Sequence, residues 1–202
     1  MLKKISTFDA MMIVVMAVAG LVVKPVIGPI LKLVGSTFFM SSGSISGVIY
    51  MIFPMLACLI VRQTGAATLT GLIQGIMVLI SGIYGSHGII SVLTYTLPGV
   101  AVDVGFLATK WIGKKWALFL PTALGNLVGN LLVGVLFLRL PKIPLLITLI
   151  GAFVFGGFSG FIAWYFYRWL AGNFPVLDKQ LHLFDDSNGE TTSLSHQQAG
   201  EL

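Results

Sequence analysis

The chain has 202 residues, 56% of them hydrophobic and only 9% charged, with a formal net charge of +5. Soluble domains carry about 25% charged residues, so this composition excludes a water-soluble globule and leaves the bilayer as the solvent. The basic residues stand singly or in pairs between apolar runs rather than on one face, which excludes a nucleic-acid partner.

At the N-terminus, Lys3 and Lys4 precede an apolar run that predicts a first helix over 6–23. Ala17-Val18-Ala19 has the small-residue pattern of a signal-peptide cleavage site, but the helix is read as retained. Lys24-Pro25 is a stop signal, and residues 24–45 read as an outside loop containing Pro25, Pro29 and Ser41-Ser42-Gly43-Ser44. A connection of that length is either a lid over a binding site or a segment lying on the membrane surface.

Further spans are predicted over 46–62, 66–84, 88–109, 116–138 and 143–170, the last long enough to tilt. Gln63-Thr64-Gly65, Gly85-Ser86-His87-Gly88, Gly113-Lys114-Lys115 and Pro141-Lys142-Ile143-Pro144 separate them. With the N-terminus inside, Lys3, Lys4, Arg62, Lys110, Lys114, Lys115, Arg168 and Lys179 are cytoplasmic, while Lys24, Lys32, Arg139 and Lys142 are outside. That bias favours both termini inside. The expected fold is an all-α integral membrane protein, a bundle of six transmembrane helices with cytoplasmic termini. Residues 1–172 form the membrane domain, and 173–202 form a polar, disordered cytoplasmic tail.

Few residues offer chemistry. Asp103 is the one acid between Ala10 and Leu177, and an intramembrane carboxylate marks a functional site by default. It shares a helix face with Ser91, Tyr95 and Gly99; its alternative role is a structural pair with Arg62 or Lys110. Asn126 and Asn130 lie one turn apart among glycines, and Gln74 lies between Gly71 and Gly75. Such amides either join helices or contact a ligand. Tyr84, His87 and Tyr95 fall near the outer ends of the third and fourth spans, as interfacial anchors or as a stacking platform for a flat ligand. The stripes Ala67-Gly71-Gly75, Gly125-Gly129 and Gly156-Gly160 predict close helix seams.

Absences narrow the function. The sequence holds no GxxxxGK[ST] loop for ATP and no HExxH, and its single cysteine, Cys58, excludes a disulfide or a multi-cysteine metal site. Gly157-Phe158-Ser159-Gly160 matches the GxSG motif of rhomboid intramembrane proteases, but the histidines that follow it are in the tail. The chain is therefore read as no enzyme, with no catalytic residue, metal or cofactor of its own.

Ile60-Val61-Arg62-Gln63-Thr64-Gly65-Ala66-Ala67 resembles the Ile-Arg-Lys-Pro-Gly-Ala-Ala run of YkoE-type substrate-binding (S) components of energy-coupling-factor (ECF) vitamin transporters. Asp103 to Trp111 resembles the acid-x-x-Phe-Leu-Ala-Thr-Arg-Trp run of the same family. The resemblance implies a six-helix bacterial plasma-membrane protein that binds a vitamin or precursor, thiamine or hydroxymethylpyrimidine, near the outer face. It also implies a transmembrane T subunit and two ATPase subunits as partners, so that ATP is used only by those partners. Many S components dock the T subunit through Ala-xxx-Ala on the first helix; here Ser6, Ala10 and Ala17 stand nearest that pattern. A stand-alone solute facilitator or exporter is the alternative, and a rhomboid-like protease a remote one.

Overall fold

The computed structural model describes residues 5–37, 42–82, 88–109 and 115–173. Among them every regular element is helical, as an apolar chain in lipid requires for its backbone groups. The order is α1 (Thr7–Thr37), α2 (Ser42–Tyr50), α3 (Ile52–Val61), α4 (Ala66–Ser81), α5 (Ile90–Thr109), a 3-10 turn (Lys115–Leu118), α6 (Phe119–Leu136) and α7 (Lys142–Asn173). Five segments are long and apolar enough to cross a membrane: Thr7–Leu31, Gly43–Val61, Ile90–Thr109, Trp116–Leu136 and Lys142–Asn173. The 16 residues of α4 make a shorter helix of about 24 Å at 1.5 Å per residue.

The loop expected over 24–45 is largely helical. Residues 24–37 continue α1 through Pro25 and Pro29, and 42–50 form α2, so what is left of the connection lies outside the described residues. A proline removes one amide donor and would end most soluble helices. In a membrane bundle neighbouring helices compensate the freed groups, and Val22, Val26, Ile30 and Leu33 give α1 a continuous outward apolar stripe. The second predicted span is in turn interrupted at Met51, between α2 and α3. Pro54 follows as the third residue of α3, where it has no amide to donate to Tyr50 four residues back.

Around α3 the other helices close a ring. α1 packs on α2, α3 and α4, α4 on α5, α5 on α6, α6 on α7, and α7 returns to α2 and α3. Every residue of α3 from Pro54 to Val61 is buried. With Ile13, Ala67, Val102, Phe106, Trp164 and Tyr167 it forms the apolar core, at the end of the bundle where α1 begins and α5 and α7 finish. The turn from α3 into α4 is tight: Arg62 (φ 54°) and Gly65 (φ 102°) both take the left-handed conformation, and the Arg62 amide donates to the Cys58 carbonyl.

Glycines set the seams. A Cβ on Gly75 would lie 2.8 Å from Val92 Cα, and one on Gly71 would collide with the Tyr95 carbonyl oxygen. A Cβ on Gly99 would likewise meet the backbone of Ala67. The α4 stripe Ala67-Gly71-Gly75 thus lies against the α5 face of Ser91, Tyr95 and Gly99. Gly156 and Gly160 of α7 sit equally close to Thr122 and Leu118.

Candidate functional site

Three helix irregularities converge on one point: Pro25 and Pro29 of α1, the break at Met51, and Pro98 of α5. Lys24 stands at that point. Its Nζ lies 3.8 Å from the centroid of the Tyr95 ring and 5.2 Å from that of Tyr50. The Tyr50 hydroxyl in turn donates to the Lys24 carbonyl at 3.5 Å. Tyr50 is the last residue of α2 and Tyr95 the sixth of α5, so three separate helices build the cluster. Interrupted helices near the middle of a bilayer are where transporters place their ligands.

The electrostatics of this cluster are unbalanced. Lys24 lies five residues past the midpoint of the span Thr7–Leu31, about 7 Å along the helix. A charged lysine costs up to about 2.5–3.5 kcal/mol at a helix centre, and a cation–π contact returns about 0.5–2 kcal/mol. The rings therefore offset only part of the cost. The acids among the described residues are Asp9 and Asp103, and neither pairs with Lys24. Asp9 accepts from the Ser6 amide, and Asp103 is engaged at the other end of the bundle.

One turn before Lys24, Gly20 makes room for Gln74 of α4: a Cβ there would overlap the Gln74 amide and touch the Phe53 ring at 3.2 Å. Gln74 Nε2 donates to the Ala17 carbonyl at 3.3 Å, and among the described residues no group donates to its Oε1. Gln74 and Tyr95, singled out in the sequence, thus belong to the surroundings of Lys24. The sequence alone reads Lys24 as a topology charge and gives Tyr50 no role; the signal it offers is a lysine standing alone beside a proline in an otherwise apolar stretch.

The other candidate side chains are occupied by helix contacts. Asp103 Oδ2 accepts from the Thr68 amide at 2.8 Å and from its hydroxyl at 2.6 Å. Its Oδ1 accepts from the Ala67 amide and the Cys58 thiol, both at 3.3 Å. The carboxylate thus neutralises the free amides at the N-terminus of α4, a partner different from the pairing expected with Arg62 or Lys110. Arg62 reaches the Tyr167 hydroxyl instead, at 3.5 Å, and Lys110 lies outside the described residues. Asn126 Nδ2 donates to the carbonyls of Ser44 and Ala152 at 2.9 and 2.8 Å. Asn130 Nδ2 donates to the Asn126 carbonyl and Oδ1 at 2.9 and 3.0 Å, and the Ser44 hydroxyl donates to the Thr148 carbonyl at 2.9 Å. This network ties α2, α6 and α7 together.

Residues 8–129 match the family described as ABC-type cobalt transport system, permease component. The chain belongs to this family. It is a multi-pass membrane subunit of an ABC-type transport system, and the matched region runs from α1 into α6, taking in Lys24, Tyr50, Gln74 and Tyr95. No curated protein and no solved structure matches the chain.

For a permease component, surfaces open to other subunits matter as much as the interior. Ser6 and Ala10 are exposed, but the Ser6 hydroxyl accepts from the Phe8 amide at 3.3 Å, capping α1. Ala17 is fully buried beneath Gln74. The expected docking set Ser6, Ala10 and Ala17 is therefore not one surface, because Ala17 faces inward. The Ser159 hydroxyl donates to the Gly156 carbonyl of its own helix at 2.6 Å. Tyr84 and His87, expected near Tyr95, lie outside the described residues, as do Lys3, Lys4, Lys114, Lys179 and the tail from residue 174 on.

Proposed function

We propose that the chain is the substrate-binding S component of an ECF-type importer, capturing a vitamin or vitamin precursor at the outer face of a bacterial plasma membrane. In this reading six helices span the membrane with both termini cytoplasmic. A T subunit and two ATPase subunits supply the energy, and the chain itself catalyses nothing. Thiamine and hydroxymethylpyrimidine are the leading ligand candidates. Membership of an ABC transport family supports the partner subunits. The observation that carries the binding role is the cluster of Lys24, Tyr50 and Tyr95 at the meeting of interrupted helices, beside the amide of Gln74. Aromatic faces with a few convergent polar atoms suit a flat heterocycle.

The family description names cobalt. A cobalt ion would call for converging His, Cys, Asp or Glu, and the described residues hold no group of three or more of these. The polar centre they do hold is a lysine set against two tyrosine rings, which favours an organic ring.

A thermal-shift screen of the purified chain against thiamine, hydroxymethylpyrimidine, riboflavin, biotin, folates, pantothenate, cobalamin, queuosine precursors and Co2+ tests this reading. A ligand at a hundredfold excess over its Kd stabilises by about 2.7 kcal/mol. One strong organic hit is expected. A shift with Co2+ alone would contradict the vitamin reading, and silence from folded protein would favour a facilitator whose transport survives deletion of the ATPases.

A further inference from the structure

We infer that the end of the bundle where α7 finishes carries a docking rim for anionic phospholipid headgroups, formed by Trp116, Tyr165, Arg168 and Trp169. Among the described residues the exposed aromatic side chains are Trp116, Phe158, Tyr165, Phe166 and Trp169. All five stand on the 3-10 turn or the second half of α7. Trp116 is 67% exposed, Tyr165 61% and Trp169 60%. The opposite end is aliphatic, with Ile80, Ile89, Ile143 and Leu146 among its exposed side chains. Lipid tails accept either kind of side chain. The headgroup boundary distinguishes them, because an indole N–H or phenol O–H wants a polar partner at one edge of an otherwise apolar ring.

Tyr165 and Trp169 lie about 34 and 40 Å along α7 from its first residue, Lys142, at 1.5 Å per residue. The hydrocarbon core of a bilayer is about 30 Å thick, and the whole about 40–45 Å with its headgroups. With Lys142 at one surface, Tyr165 falls at the far boundary of the core and Trp169 within the headgroup layer. A tilt of about 20° shortens these distances only to about 32 and 38 Å. The rings are also braced. Trp116 meets Phe161 edge to face at 5.0 Å, and Trp169 stacks on Phe166 at 5.7 Å with 18° between the planes. Arg168 is exposed beside Trp169, and its guanidinium keeps its charge at any physiological pH. Lys110, Lys114 and Lys115 precede Trp116 in the chain, with no acid between Lys110 and Leu177. A phosphodiester is the complement of such a rim, and each Lys or Arg near an anionic surface adds to the attraction. A second copy of the chain would bring the same positive charge to this face and be repelled. In the topology proposed above the contact is with the cytoplasmic leaflet, and neither the ligand nor the ATPase subunits enter it.

Fluorescence quenching of the full chain in nanodiscs tests the depth of the rim. The discs hold phosphatidylcholine and phosphatidylglycerol in equal parts, brominated on the acyl chains either near the glycerol or near the terminal methyl. Bromine quenches tryptophan on contact, so the emission lost in Trp116→Phe and in Trp169→Phe reports where each ring sits. Both rings should be quenched about two-fold or more strongly by the glycerol-side bromines. Equal or stronger quenching from the methyl side would put the rings in the bilayer core. Quenching from neither side would mean that protein covers them, as in a dimer, and each of these results overturns the rim. Melting curves read the charge separately. Wild type should have a higher Tm with phosphatidylglycerol than in phosphatidylcholine alone, and Arg168→Gln should lose about half of that difference. The Tm of each variant in phosphatidylcholine alone shows that it is folded. An equal Tm for wild type in the two lipids, or an unchanged difference in Arg168→Gln, overturns the phosphate contact.

Discussion

The carboxylate of Asp103 on α5 holds both the amide and the hydroxyl of Thr68 on α4, at 2.8 and 2.6 Å. Its other oxygen takes the Ala67 amide and the Cys58 thiol. One side chain thus fastens three helices at the end of the bundle opposite Lys24. Replacing it with Asn leaves one acceptor oxygen and turns an amide NH2 toward backbone donors. The expected cost is about 1–3 kcal/mol, seen as a lower melting temperature, with ligand affinity within two-fold of wild type in the protein that folds. A selective loss of binding at unchanged stability would instead make Asp103 a ligand carboxylate.

Asn126 behaves as a clasp between α2, α6 and α7, donating to Ser44 and Ala152 and accepting from Asn130. Interhelical hydrogen bonds in membranes contribute on average about 0.6 kcal/mol each. Asn126→Ala should therefore cost roughly 1–2 kcal/mol by the same principle of several small bonds lost together. Reversible unfolding in mixed micelles measures this, and ligand affinity should hardly change.

Gly75 controls how closely α4 approaches α5, and hence where Tyr95 is carried. A Cβ would stand 2.8 Å from Val92 Cα and 3.3 Å from the Ser91 carbonyl oxygen, backbone atoms that cannot turn aside. Gly75→Ala is expected to cost about 1–3 kcal/mol through overpacking and to weaken ligand binding as the helices separate. Gly172→Ala is the matched control: open space surrounds it, and the gain in helix propensity is worth up to about 1 kcal/mol.

Ser159 stands in a protease-like motif, yet its hydroxyl is bonded within α7. Ser159→Ala should leave transport by the assembled complex unchanged and alter stability by less than about 1 kcal/mol. Loss of activity in a correctly folded variant would revive the nucleophile reading.

Much of the helical order was legible in the sequence because the bilayer demands long apolar runs, and α4 to α7 begin and end near the predicted boundaries. The extent of α1 was not. Lys24-Pro25 is a stop signal learned from soluble proteins, and in lipid the helix passes through two prolines because the alternative is bare backbone in hydrocarbon. The small-residue stripes foretold the α4–α5 and α6–α7 seams, since a missing side chain is visible in the sequence. The partner of Asp103 was hidden for the opposite reason: backbone amides at a helix start have no residue-type signature. Lys24 and Tyr50 likewise meet only through the approach of α1 to the break at Met51, a tertiary event that neither local pattern announces.

The most direct test is equilibrium binding of labelled hydroxymethylpyrimidine to the chain in nanodiscs, compared between wild type and Tyr95→Ala. Saturable binding of one molecule per chain, weakened ten-fold or more by the substitution with the fold intact, is the predicted result. Equal binding by the two proteins would place the ligand elsewhere and contradict a site built on Lys24, Tyr50 and Tyr95.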